Sequence, residues 1–519
     1  MARLTRRSIL AASAALVLAD PIRLSAHVSG TERPALPIPP EIRADANGQI
    51  SLTAQSGHMT FLPGTSTPTL GINGNYLGPT VRVRRGDNVT MSVANALDQD
   101  ITMHWHGAIV PGDVDGGPHS VITPGSTWRA PLEIAQPAAT IWYHPHVYPT
   151  TAELVVRGLA GLFLIDDDES DQLGLPSRYG IDDIPLVLQD RRFQPDGQIF
   201  HRMNLTAITT GYFGDVMLVN GARAPIARTA QGWLRFRILD GSNARNYNLA
   251  ASDGRSLYVI ASDGGLLDAP VELKVLPIHA GERFEVLVDA RDGTPFDLIA
   301  EPVDQPIMRL PPFDETLSIV SIVPELSGGY GGLPDQLAAL PAIPTSLPAV
   351  SQDLVATMSM DQQGMAALRN AGLMGMSQDG PADPNVVERV VSLFTDGPAL
   401  SEQTQLAANG INGVPFSLQM TPFPVPRGQP LRWSISEGSD QMAHPIHIHG
   451  CQFRVVRYND GSVPAYLAGW KDTVNIESAG SAEVLVTFPF AAPANFPYMA
   501  HCHVLEHEDS GMMTQFSVS

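Results

Sequence analysis

The chain carries a high density of metal-binding side chains near its carboxyl end. Cys502, His507 and Met512 follow one another at intervals of five residues, and His501 and His503 flank the cysteine. Two imidazoles, a thiolate and a weak axial thioether are the ligands of blue copper sites. Because successive side chains of a strand point to opposite faces, we expect both flanking histidines to point away from the cysteine. The segment predicts two metal centres joined by a short covalent route for electrons; histidines satisfied within a core are the alternative.

Histidine pairs with one residue between their members occur four times in the chain. The pairs are His104 and His106, His144 and His146, His447 and His449, and His501 and His503. On a strand this spacing places both imidazoles on one face. Eight imidazoles suit three copper ions, with two ligands for one ion and three for each of the others, and His444 then remains for the site of Cys502. Because the pairs come from the first and last parts of the chain, we expect a cluster wedged between two modules.

The elements that must position these residues are short strands. An alternating strand, a break and a second strand recur weakly near residues 79–107, 232–245 and 423–450, and the chain contains 46 Gly, 44 Pro and only 16% charged residues. Short strands between turn signals predict β-sandwich domains, and a long-period repeat predicts copies of one module. The fold class that we predict is therefore all-β.

The repeat also predicts where the domains lie. The expected limits are 47–168 for the first domain, 169–325 for the second, which lacks histidine pairs, and 384–519 for the third. Residues 326–383 form a connecting segment that holds five of the 17 methionines. A chain of this length is long enough for two to four domains with sizeable cores.

Charge and the amino terminus limit the classes of function. The net charge of −21 argues against nucleic acid as a partner, which needs a basic face; the acidity would attract small cations or would serve solubility alone. Arg6 and Arg7 precede an apolar run too short to span a bilayer, so residues 1–26 read as a twin-arginine signal for export to the periplasm. A chance arginine pair is the alternative. No later stretch looks transmembrane.

The two cysteines are Cys451 and Cys502. Export would permit a disulfide between them. If Cys502 is a metal ligand, Cys451 is left alone, and we expect it to be a buried structural thiol.

The four histidine motifs, in this order, resemble those of the multicopper oxidases, the laccase-like enzymes with three cupredoxin domains. The stretch from His501 to Met513, with Glu506 and Glu508, is most similar to the bacterial periplasmic copper-efflux (cuprous) oxidases. The resemblance implies three tandem cupredoxin-like domains and four copper ions: one of type 1, one of type 2 and a type 3 pair. Such an enzyme takes electrons from a small reducing substrate and reduces O2 to water. We expect a monomer.

The resemblance also implies the ligands of each copper ion. Type 1 copper would be bound by His444, Cys502, His507 and axial Met512. Type 2 copper would be bound by His104 and His447. The type 3 pair would be bound by His106, His144, His146, His449, His501 and His503. Cys502 would also carry electrons from type 1 copper to the other three ions.

Acidic residues near the motifs are candidates for proton delivery and substrate binding. Asp115 and Glu508 would supply protons for O2 reduction, although a turn residue before Gly-Gly and a solvated loop acid are the alternatives. Asp440, Met360 and Asp361 would bind substrate copper, because thioethers favour Cu(I). Ordinary helix packing is the alternative for the methionines. The cuprous oxidases often carry a longer segment rich in Met and His here, whereas residues 326–383 contain no histidine.

Three functions follow from these observations. The first is a cuprous oxidase for copper tolerance, with phenol oxidation as a side activity. The second is an oxidase whose true substrates are phenols, amines or other metal ions. The third, a copper-binding or cell-envelope structural protein without catalysis, ranks last because such chains lose ligands and this chain has lost none.

Overall fold

The computed structural model of the protein confirms the all-β class. The structure describes residues 33–326, 328–375, 381–438, 442–459 and 461–519. The predicted signal at 1–26 and Asp440 lie outside the described residues. The described strands form six sheets, arranged as three successive pairs along the chain. No helix in these ranges is long and apolar enough to cross a membrane.

The first pair of sheets holds two of the four histidine pairs. Its strands are β1 (Glu41–Ile42), β2 (Gln49–Met59), β3 (Thr67–Ile72), β4 (Thr80–Arg84), β5 (Asn88–Asn95), β6 (His104–His106), β7 (Thr127–Glu133), β8 (Ala139–His144) and β9 (Gly161–Asp166). One sheet has the order β1-β4-β9-β8-β6 and the other β3-β2-β5-β7. The helices are α1 (Thr151–Val156) and α2 (Asp168–Asp171). Because β6 pairs with β8 with His104 opposite His144, both histidine pairs lie at the same edge of the sheet.

The second pair of sheets holds no histidine pair. Its strands are β10 (Asp183–Arg191), β11 (Val216–Val219), β12 (Ile226–Ala230), β13 (Trp233–Asp240), β14 (Tyr247–Ala251), β15 (Leu257–Ser262), β16 (Gly265–Leu273), β17 (Val275–Ile278), β18 (Arg283–Asp289), β19 (Phe296–Glu301) and β20 (Leu317–Leu326). The sheets have the orders β11-β10-β13-β18-β15-β16 and β12-β20-β19-β14-β17. Helix α3 (Leu205–Thr210) follows β10, and a 3-10 turn covers Pro306–Arg309.

The third pair of sheets holds the remaining histidine pairs. Its strands are β21 (Val350–Met358), β22 (Asn409–Ile411), β23 (Phe423–Val425), β24 (Leu431–Glu437), β25 (His444–Ile448), β26 (Phe453–Tyr458), β27 (Trp470–Lys471), β28 (Thr473–Ile476), β29 (Ser481–Val486), β30 (Tyr498–Cys502) and β31 (Met513–Val518). The sheets have the orders β22-β21-β24-β29-β26-β27 and β23-β31-β30-β25-β28. The helices are α4 (Asp361–Ala371), α5 (Pro384–Thr395), α6 (Glu402–Gln405) and α7 (Leu505–Asp509), with 3-10 turns at Leu373–Gly375 and Ala465–Leu467.

The third pair of sheets begins earlier than the predicted limit of 384. Strand β21 lies inside the segment assigned to 326–383, and it pairs in parallel with β24. Its alternation is weak, because only Leu354 and Ala356 are buried along its length, so its pattern did not stand out in the sequence. The limits 47–168 and 169–325 stay predictions.

Helix α4, from the methionine-containing segment, packs against the neighbouring helices α3 and α5. A Cβ at Gly364 of α4 would lie 2.1 Å from Thr209 Oγ1 of α3, so these helices approach closely. Helix α3 also contacts α7, which carries His507. Met358 and Met365 are half-buried against the core of the third domain. Core packing therefore accounts for Met358 and Met365, which agrees with the alternative that the methionines serve ordinary packing.

The contact between α3 and α4 can be tested at Gly364. We expect Gly364→Ala to destabilise α4 by about 1–3 kcal/mol, because the added methyl group overlaps Thr209. Hydrogen exchange over Asp361–Ala371 should become faster than in the unsubstituted protein. Gly375→Ala is the control, since a Cβ there meets no atom within 4 Å. Equal exchange rates in the two variants would contradict the close packing.

Candidate metal centre

The eight paired histidines converge where the first and third domains meet. His104 Nε2 of β6 lies 3.4 Å from His447 Nε2 of β25. Across the same boundary, His146 Nε2 lies 3.2 Å from His501 Nε2, and within the third domain His449 Nε2 lies 3.2 Å from the same nitrogen. The expected wedge between two modules is therefore present.

The histidines form three sets of two, three and three. The sets are His104 with His447; His106 with His144 and His503; and His146 with His449 and His501. His449 also lies close to His104, but its Nε2 faces His501. Within each group of three, the possible ligand atoms lie within 4.8 Å of one another.

Main-chain carbonyl groups fix the orientation of four of the rings. In each of these histidines Nδ1 lies within hydrogen-bond distance of a carbonyl oxygen. The pairs are His104 with Asp115 at 3.0 Å, His447 with Asp472 at 2.9 Å, His144 with Pro145 at 2.8 Å and His501 with Cys502 at 3.0 Å. Because a carbonyl oxygen can only accept, Nδ1 carries the proton and Nε2 keeps the lone pair that a metal needs.

His106 is oriented in the opposite sense. Its Nε2 lies 3.0 Å from Asp472 Oδ1 and 3.2 Å from Thr473 Oγ1, whereas its buried Nδ1 has no hydrogen-bond partner. Nδ1 is therefore the nitrogen available to a metal in its set. Asp472 was not among the site residues predicted from the sequence; its place directly before the buried strand β28 was the only available signal.

Burial favours the neutral form of His447, His144 and His503. Burial lowers the pKa of His447 to about 4. Burial, reinforced by neighbouring imidazoles, also lowers the pKa of His144 and His503 well below the ordinary value. Neutral imidazole is the form that binds metal ions. His144 Nε2 and both ring nitrogens of His503 are buried without a hydrogen-bond partner, which is costly unless a ligand is bound. The donor set therefore fits copper ions.

The cysteine site lies beside the histidine sets. Cys502 Sγ is 3.5 Å from His444 Nδ1 and 3.7 Å from His507 Nδ1. The backbone N–H of Val504 donates to the sulfur at 3.4 Å. Met512 is buried. The backbone N–H of Cys502 donates to the Met512 carbonyl, and the Met512 N–H donates to the His507 carbonyl, so these hydrogen bonds hold the two ends of the loop together. The structure thus brings together the residues that the spacing predicted.

The two histidines that flank Cys502 belong to different sets. His501 lies in the set of His146, and His503 lies in the set of His144. One strand end therefore connects the cysteine site to two of the three histidine sets through covalent bonds.

Both candidate proton carriers touch the histidine sets. Asp115 Oδ2 lies 2.7 Å from His449 Nδ1. Glu508 Oε1 lies 3.2 Å from His146 Nδ1, and its Oε2 lies 3.2 Å from His501 Nδ1. Glu508 is only 1% exposed, so it is not a solvated loop acid.

The candidate substrate-binding residues are less closely tied to the cysteine site. Met360 directly precedes α4 and Asp361 lies in its first turn, and that helix reaches α7 through α3. Asp440 lies outside the described residues. The buried Met442, two residues before the start of β25 at His444, was not singled out from the sequence.

Comparison with known families agrees with this geometry. Three family models, each described as multicopper oxidase, match residues 53–170, 201–303 and 391–519. The predicted fold of three tandem cupredoxin-like domains is confirmed by these matches and by the solved structures described next.

Two solved structures illustrate the similarity. A bacterial laccase-like multicopper oxidase, CueO from Ochrobactrum sp., is 36% identical with a TM-score of 0.79, covering 93% of this chain and 100% of that chain. A multicopper oxidase from Campylobacter jejuni, described as a metallo-oxidase, is 27% identical with a TM-score of 0.76, covering 94% and 96%.

Curated relatives carry a different name. Cell division protein FtsP of Escherichia coli (strain K12) is 33% identical over 516 residues, which cover 99% of each chain. The protein of the same name from Salmonella typhimurium is 33% identical over 519 residues, again covering 99% of each.

The position of the His503 ring depends on Gly281, which has a φ of +84°. A Cβ there would lie 2.7 Å from His503 Cγ. We expect Gly281→Ala to displace the ring and to lower the copper content of purified protein. Gly254→Ala is the control, because Gly254 has a similar φ of +75° but no atom within 4 Å of a Cβ. Full copper content in the Gly281 variant would show that the ring tolerates displacement.

Proposed function

The chain belongs to the multicopper oxidase family, and we propose that it couples one-electron oxidation of a small reducing substrate to the reduction of O2 to water. One observation carries the proposal: the predicted histidines and Cys502 are gathered into two adjoining buried groups. Four copper ions, one of type 1, one of type 2 and a type 3 pair, would supply the redox chemistry there.

The sets suggest how the ligands are divided. Type 1 copper is assigned to His444, Cys502, His507 and axial Met512. Type 2 copper is assigned to His104 and His447. One ion of the type 3 pair is assigned to His106, His144 and His503. The other is assigned to His146, His449 and His501.

The surrounding residues have defined tasks in this proposal. The covalent bonds from Cys502 to His501 and His503 offer the route for electrons. The N–H group that faces the cysteine sulfur favours its negative charge. Asp115 and Glu508 lie beside the ligand rings, where a carboxyl group can relay protons during reduction of O2.

Burial of the cysteine site supports a small electron donor. His444, Cys502 and His507 are at most 1% exposed, so a bulky organic substrate cannot touch these side chains without movement of the helices. Cu(I) is the proposed substrate, with Asp440, Met360 and Asp361 as its binding residues, and phenol oxidation is a side activity. The acidic surface supports this choice, because negative charge attracts small cations.

General phenol oxidation is the alternative activity. It is favoured by the 36% identity to the laccase-like enzyme from Ochrobactrum sp., whose described activity is towards lignin model compounds and lignosulfonate. The absence of histidine from residues 326–383 also fits this alternative.

A role in the cell envelope without catalysis is the second candidate function. It is favoured by the full-length identity to proteins named for cell division. The complete ligand set argues against this role. Buried imidazoles without partners cost stability, so a purely structural protein would gain nothing from retaining them.

The oxidase proposal also includes export to the periplasm through the twin-arginine route and a monomeric state.

Copper content separates an oxidase from a scaffold. We expect about four copper ions per chain after loading and dialysis, since the chain offers ligands for one type 1, one type 2 and two type 3 ions. Cys502→Ser should remove the blue colour and abolish turnover, because the serine hydroxyl cannot replace the thiolate. Cys451→Ser is the control, since this buried thiol lies outside the metal-ligand groups. A protein that retains no copper would favour the scaffold.

Oxygen uptake with two donors identifies the substrate. We expect faster turnover with Cu(I) than with a phenol, and a selective loss of the Cu(I) rate in Met360→Leu and Asp440→Asn, because thioether and carboxylate contacts are removed. Met374→Leu is the control, since Met374 is exposed on the same segment. Fast phenol oxidation that is indifferent to these substitutions would indicate a general laccase.

A further inference from the structure

The second domain contributes no histidine to the three sets, although residues 169–325 are all described, yet one of its side chains reaches the cluster. Arg283, the first residue of β18, is fully buried. Its guanidinium group forms a two-pronged ion pair with Asp472 of the third domain, with Nη1 donating to Oδ1 at 2.8 Å and Nη2 to Oδ2. The second domain therefore acts on the cluster through a charged contact.

Asp472 connects this arginine to two histidines. Its Oδ1 faces His106 Nε2 at 3.0 Å, and its main-chain oxygen accepts from His447 Nδ1 at 2.9 Å. Gln452 Nε2 donates to its Oδ2 at 2.9 Å. With both oxygens engaged, the carboxylate is held in one orientation.

The orientation of this carboxylate decides which nitrogen of His106 can bind a metal. An ionised carboxylate only accepts hydrogen bonds, so the facing Nε2 must carry a proton. The lone pair of His106 is then on Nδ1, which is buried without a partner. Asp472 could itself be counted as a ligand with His106 and His447, but its oxygens are already occupied by Arg283 and Gln452.

We propose that Arg283 is a positioning residue of the copper cluster: through Asp472 it fixes the ligating nitrogen of His106. This inference rests on the proposed function. Through Arg283, the second domain would help to position a metal ligand although it supplies no histidine to the three sets.

Main-chain carbonyl groups fix the position of the Arg283 guanidinium. Its Nε donates to the Thr140 carbonyl of the first domain at 3.2 Å, and its Nη1 donates to the Gly281 carbonyl of the second at 2.9 Å. The guanidinium thus contacts all three domains. Gly107, directly after His106, has a φ of +90°, and a Cβ there would lie 2.7 Å from Arg283 Nη2 and 2.5 Å from Asp472 Oδ2.

A buried ion pair that only stabilises the domain boundary would look similar. The same domain offers a matched control in Arg235, whose Nε donates to Glu285 Oε2 at 2.8 Å. Arg235 and Glu285 are also buried, but neither belongs to a metal-ligand group or contacts one of the paired histidines in the described contacts. In each place two guanidinium N–H groups donate to the partner carboxylate, to both oxygens of Asp472 and to Oε2 alone in Glu285, and the change Arg→Lys removes this fixed pair of donors while it retains the charge.

The test compares Arg283→Lys and Asp472→Asn with Arg235→Lys in the full-length, copper-loaded protein. Asp472→Asn keeps the main-chain oxygen that orients His447, so it remains informative if Arg283→Lys fails to fold. Affinity is measured by competition with a copper chelator, the type 3 pair by its absorption and paramagnetic resonance, and stability by thermal unfolding.

We expect both cluster variants to lose affinity for copper by about 10–100-fold and to alter the type 3 signals, as is usual when the partner of a ligating histidine is removed. The absorption of the cysteine site should be unchanged. Arg235→Lys should lower thermal stability without either spectroscopic change.

Unchanged affinity and type 3 signals in the cluster variants, or equal changes in Arg235→Lys, would overturn the inference and leave a structural ion pair. A wild-type protein that binds no copper would instead refute the proposed function, so the two failures are distinguishable.

Discussion

The structure depends on the burial of eight imidazoles at a boundary between domains. Burial lowers the pKa of His106, His144 and His503 well below the ordinary value, and neighbouring rings add to the effect. A lone pair inside the protein without a partner costs free energy, and bound metal ions remove that cost. Ions bound at these side chains would therefore couple the first and third domains.

The arrangement divides the work among the three domains. The first and third supply the candidate ligands, and the second supplies contacts that hold them. Glu506, beside His507, accepts hydrogen bonds from Tyr212 N at 2.9 Å and Asn243 Nδ2 at 2.8 Å, both of which belong to the second domain. Burial alone would raise the pKa of Asp472, but the guanidinium of Arg283 outweighs it and holds that pKa well below the ordinary value. The charged network thus extends from the second domain to the histidine rings.

The β class and the clustering of the candidate ligand residues could be predicted because both depend on local spacing. A pair such as His447 and His449 can be recognised as possible metal ligands within three consecutive positions, and the alternation of buried and exposed residues in a strand is equally local. The nitrogen that His106 presents could not be predicted, since it depends on Asp472, 366 residues away in the sequence. Strand β21 was missed because it buries few side chains, and its pairing with β24 is a long-range contact.

The relatives of this chain include laccase-like oxidases and proteins named for cell division, so the central claim is that this chain reduces O2. The most direct measurement is the number of electrons taken from a donor for each O2 consumed by the copper-loaded protein, with hydrogen peroxide assayed in parallel. We expect four electrons per O2 and no release of peroxide. No uptake of O2, or two electrons per O2 with peroxide as the product, would contradict it.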